Sequence, residues 1–83
     1  MIKYPIESEV FYLKANSNYT EINTKENSIM VAYSMSFVIK NKYKNFVRVN
    51  HQIAVNPQFI ENKTKNTVLV NNQLFNISRR KQK

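Results

Sequence analysis

The stretch FVRVNHQIAVN, residues 46–56, is strand-like through Val49, breaks at Asn50-His51-Gln52 and resumes at Ile53. Apolar and polar residues that alternate face opposite sides of an extended chain, so both flanks read as half-buried strands. The three adjacent hydrogen-bonding side chains between them, one of which is the chain's only histidine, mark a turn. Such a turn either simply reverses the chain with its side chains in water, or presents those side chains to a partner.

The segments on either side share the character of the flanks. Residues 10–15, 19–24, 28–33, 67–70 and 74–77 are short and rich in β-branched and aromatic side chains, which pack well on a pleated surface. With 46–49 and 53–55 they predict a chain built mainly of β-strands. The pairs Glu26-Asn27 and Asn71-Asn72 stand at hairpin spacing in a chain with no glycine. Asparagine tolerates positive φ better than other non-glycine residues and can build those turns instead. Only residues 34–41 suggest a helix, with Met35, Val38 and Ile39 on one face and Ser34 placed to cap the first turn. The expected fold is a small β-sandwich of short antiparallel strands with one short helix. Phe11, Leu13, Phe46, Phe59 and Phe75 are expected in its core, and Asn56-Pro57 in a turn, because the residue before proline is pushed to extended geometry.

A chain of 83 residues holds one thin core, so residues 1–83 are read as one domain, with 79–83 frayed. The absence of cysteine removes disulfides and thiolate metal sites and suggests a reducing cytoplasm. No segment approaches the roughly 20 apolar residues that cross a bilayer, so no membrane association is expected. The five acids are all glutamates, Glu7, Glu9, Glu21, Glu26 and Glu61, and none are paired at a spacing that suggests acid/base chemistry. One histidine without thiolates makes no ordinary zinc site, and no glycine-rich loop cradles a phosphate. The sequence predicts neither an enzyme nor a cofactor.

Charge points elsewhere. Thirteen Lys and Arg against five Glu give a net charge of +8, which favours a polyanion as partner. Abundant Asn, Lys and Ile without glycine also fit an AT-rich coding sequence, but arginine escapes that bias. All three arginines lie in the second half: Arg48 beside the polar triplet, and Arg79-Arg80 in the terminal SRRKQK.

In order, VFYLKANSNYTEINT, SMSFV, FVRVNHQIAVN and TVLVNNQLFNISRR resemble the LytTR family of bacterial DNA-binding domains over nearly the whole chain. Phe46, Arg48, the polar triplet and Val55-Asn56 carry the strongest similarity, supported by Tyr12-Leu13, Asn18-Tyr19-Thr20 and Ile77-Ser78-Arg79-Arg80. Family members usually carry His where Asn50 stands, and a basic or polar residue followed by Ser where His51 and Gln52 stand. The resemblance implies an elongated domain of stacked small sheets whose connecting loops enter successive major grooves of double-stranded DNA, and hence a minimal transcription regulator. By position those loops are Asn18, Tyr19 and Thr20; Asn50, His51 and Gln52; and Ser78, Arg79 and Arg80, with Lys81 following. His51 is expected at a base edge, and of Arg79 and Arg80 one at a base and the other at a phosphate. Arg48 either braces its loop or contacts a phosphate, and Tyr19 either stacks on a sugar or sits half in the core. One domain this size offers few base contacts, so two copies on repeated half-sites, as a homodimer or in tandem, are expected. Two other readings stay open: a protein-interaction module that pairs through a sheet edge, and a single-strand binder, which needs the core phenylalanines exposed on one face.

Overall fold

A computed structural model describes residues 4–78 of the chain. Its strands are β1 (Val10–Asn16), β2 (Tyr19–Thr24), β3 (Ser28–Val31), β4 (Val47–Arg48), β5 (Ile53–Val55), β6 (Ile60–Lys63), β7 (Thr67–Val70) and β8 (Gln73–Asn76), with one α-helix, α1 (Met35–Asn41), between β3 and β4, and short 3-10 turns at Glu7–Glu9 and Pro57–Phe59. They form two antiparallel sheets, one of five strands in the order β3-β2-β1-β5-β4 and one of three in the order β6-β7-β8.

The larger sheet is covered on both faces, which gives the chain two small cores. On one side Val10, Leu13, Ile22, Val31 and Ala54 pack with Met35, Val38, Tyr43 and Phe46 from α1 and the segment after it. On the other, Ile53 and Val55 meet Val68 and Val70 of the smaller sheet. A β-bulge in β1 serves both cores. Val10 pairs with Thr24 and Tyr12 with Asn23, so Phe11 is the extra residue. Alternation is broken there: Phe11 and Tyr12 both reach the core between the sheets, while Val10 and Leu13 face the helix. Phe11 packs edge-on against Phe59 with centroids 4.6 Å apart, and Tyr12 lies 4.8 Å from Phe75. These phenylalanines are only partly buried, unlike Leu13 and Phe46, but they turn toward the core and offer no stacking face to bases.

The helix follows the sequence closely. The Ser34 side chain accepts from the Phe37 N–H at 3.2 Å, and Met35 and Val38 are buried. Asn71 and Asn72 both take positive φ, at 50° and 64°, in the turn between β7 and β8. Two features differ from expectation. β3 ends at Val31, two residues early, and β6 was not foreseen, because Glu61-Asn62-Lys63 is exposed on an edge strand and shows no alternation. Asn56 does more than turn the chain. It is buried, its amide donates to the carbonyls of Glu7 and Val10 at 2.9 Å each, and its Oδ1 accepts from the Gln58 N–H. No helix among the described residues is long and apolar enough to cross a membrane.

Candidate nucleic-acid interface

The larger sheet has two ends, and its loops divide between them. At one end lie the β1–β2 turn, the loop 50–52 that leads into β5, and the exit from β3 into α1; at the other lie the β2–β3 turn and the segment before β1.

Asn16 pairs with Tyr19, leaving Ser17-Asn18 as the tip of the first turn, with Ser17 in left-handed backbone at φ 56°. Asn18 is exposed, and Tyr19 keeps 49% of its surface in solvent, so the ring is not a core residue. Thr20 points the other way. It is fully buried, and its hydroxyl donates to the Tyr33 carbonyl at 2.7 Å, so that side chain fastens β2 to the β3–α1 corner and presents nothing outward.

The second loop is tied to the first. The Ala15 N–H donates to the Gln52 carbonyl at 2.8 Å, continuing the β1–β5 ladder one residue past Lys14–Ile53. Within the loop the polar triplet divides its work. Asn50 Oδ1 accepts from the Gln52 and Ile53 N–H groups at 2.8 and 3.0 Å, while its amide donates to the Asn76 carbonyl at 2.7 Å. With both ends of its side chain engaged, Asn50 shapes the loop. His51 and Gln52 are exposed, and their side chains make no hydrogen bond among the described residues. Arg48 braces this arrangement, donating from Nη1 to Ser36 Oγ at 3.0 Å and from Nη2 to the His51 carbonyl at 2.9 Å. Its Nε is buried and unpartnered among the described residues.

The third region arrives at the same place. The Ser78 N–H donates to the Val49 carbonyl at 2.7 Å, which with the Asn50–Asn76 bond pins the chain leaving β8 against the second loop. Arg79, Arg80 and Lys81 lie outside the described residues. Glu7, Glu9 and Glu26 sit at the opposite end of the sheet, in the segment before β1 and the β2–β3 turn. Glu21, two residues from Tyr19, stands opposite Lys14 nearer the loop end.

Sequence reasoning missed Ser36, which anchors Arg48, and the partly exposed aromatic pair Tyr33 and Phe37 at the corner that Thr20 holds. A signal was available for Phe37: it lies off the Met35, Val38, Ile39 stripe, where helix packing needs no aromatic.

Residues 1–83 match the family described as LytTr DNA-binding domain. Among solved structures, the chain is similar to the LytTr DNA-binding domain of a protein described as a methyl-accepting/DNA response regulator from Bacillus cereus. The TM-score is 0.73 at 25% sequence identity, over 93% of this chain and 76% of the other. No curated protein matches.

Proposed function

The chain belongs to the LytTr DNA-binding domain family, and from that premise we propose that it binds duplex DNA sequence-specifically as a minimal transcription regulator, through loops placed in the major groove. One observation carries this reading: backbone hydrogen bonds from Ala15 to Gln52 and from Ser78 to Val49 draw three separate loop regions to one end of the molecule. There Asn18, Tyr19, His51 and Gln52 face solvent, on a chain of net charge +8.

The roles follow from chemistry. An imidazole donates to guanine N7 or O6 or packs on a thymine methyl, and a glutamine amide pairs with adenine N6 and N7. His51 and Gln52 therefore read bases, supported by Asn50 and Arg48. Arg79, Arg80 and Lys81 directly follow the pinned Ser78; Arg80 is assigned to a base, and Arg79 and Lys81 to phosphates. A groove contact of this size is small, so binding uses two copies on repeated half-sites. Selection of bound duplexes from a random pool tests the reading. Enrichment of a motif, repeated at helical spacing, is expected, whereas a pool that enriches nothing favours a protein-interaction module of the same fold.

A further inference from the structure

We propose that the stacked Tyr33 and Phe37 rings form a fourth contact surface, which packs against the deoxyribose faces of the DNA backbone beside the groove read by His51 and Gln52. This inference rests on the duplex-binding reading above and adds a site that lies on none of the three loops.

The rings are 4.6 Å apart at 17°, and they remain 45% and 44% exposed. Stacking covers one face of each ring and leaves the other face, largely apolar apart from the Tyr33 hydroxyl, open to solvent. The helix does not need it. Met35 and Val38 already bury the inward face of α1, and a polar residue at position 37 would serve folding equally well. The surface is also joined to the proposed interface by two separate links. Thr20 Oγ1 clamps the Tyr33 carbonyl at the base of the β1–β2 turn, and Arg48 bonds Ser36 with one nitrogen and the His51 carbonyl with another. A single guanidinium thus sets the spacing between the aromatic corner and the reading loop.

The chemistry of the surface selects its occupant. Lys40 lies one turn along from Phe37 and is exposed, so an apolar ledge stands beside a cation. A duplex backbone offers the complement, alternating sugars with phosphates. In an intact duplex the bases are stacked inside, so rings outside the groove meet sugars and not base faces.

The test uses the whole chain and a duplex enriched by selection, with the double variant Tyr33→Ser, Phe37→Gln. Because both rings are partly exposed, the melting temperature is expected to stay near that of the wild type. Affinity for selected and random duplexes should fall alike, by roughly tenfold for the lost apolar contact. The slope of log K against log salt should not change, since an apolar contact releases no counterions, whereas Lys40→Gln should flatten it by about one unit. Hydroxyl radicals cleave DNA at exposed deoxyribose, so the wild type should protect a run of sugars that the double variant leaves open while the loop-contacted positions stay protected.

Unchanged affinity and footprint would overturn the proposal. So would a variant that binds DNA normally but loses self-association in sedimentation, which would make the rings a protein-facing surface. A larger loss on single strands than on duplex would overturn it in favour of base stacking. Wild-type protein that binds no duplex would instead bring down the parent reading, and this one with it.

Discussion

Asn50 and His51 are adjacent, yet one holds the loop and the other is held out by it. His51 has an exposed side chain with no hydrogen bond among the described residues, so His51→Ala should leave the melting temperature nearly unchanged. It should weaken cognate binding by about 1–3 kcal/mol with little effect on random duplex, because a base-edge contact acts only where the right base is present. Binding titrations on both duplexes decide this. Equal losses on the two would move His51 to the backbone. Asn50→Ala should behave oppositely. It strips partners from two backbone N–H groups and one carbonyl, and a denaturant titration should show a loss of roughly 1–3 kcal/mol. The position of the triplet was legible in the sequence, but its division of labour was not. An asparagine that reads adenine and one that caps a loop are the same letter, and only the placement of the Gln52, Ile53 and Asn76 backbone separates them. Thr20 shows the same limit: its neighbour Tyr19 is outward, and strand alternation turns Thr20 inward.

At the scale of elements, the Asn71-Asn72 turn was readable, but Glu26-Asn27 turns without positive φ, and in the β1–β2 turn Ser17 takes it instead. Asn71 and Asn72 occupy the left-handed region, where a β-branched residue is strained. Asn72→Val should therefore destabilise the chain by about 1–2 kcal/mol, while Asn72→Gly should be neutral or stabilising, both read from denaturant midpoints. The β1 bulge and β6 were not readable, since an extra residue in one strand and a charged edge strand both erase the period-two signal. The contact between the N-terminal segment and the segment after α1 was equally hidden, and it has a measurable consequence. The Tyr43 hydroxyl donates to the Pro5 carbonyl at 2.7 Å. Burial, with smaller contributions from Tyr4 and Glu7, pushes its pKa from 10.0 up to about 12. The folded chain then holds this proton more tightly than the unfolded one. Stability from this group is complete below about pH 10 and is lost progressively as pH rises toward 12. Melting temperatures across that window should fall for the wild type and fall less for Tyr43→Phe, which has no proton to lose.

At the scale of the whole molecule, the described residues span 39 × 24 × 19 Å, and the three loop regions converge at one end of the larger sheet while Glu7, Glu9 and Glu26 lie at the other. The sequence supplied the charge total and the three loop regions, but their convergence depends on long-range bonds such as Ser78 to Val49 that no local pattern encodes. A net charge of +8 makes phosphate binding the electrostatic test of this end. If one copy places about four to six Lys and Arg on phosphates, log K against log salt should fall with a slope of roughly −4 to −5. On a duplex carrying two half-sites at helical spacing, two copies should bind and the overall slope should approximately double, because each copy releases its own counterions. Anisotropy titrations on duplexes with one and two half-sites, each at several salt concentrations, measure both slopes. A slope near zero on either duplex would remove nucleic acid as the partner regardless of net charge. An unchanged slope on the longer duplex would mean that one copy suffices, and that the specificity comes from a single set of loops.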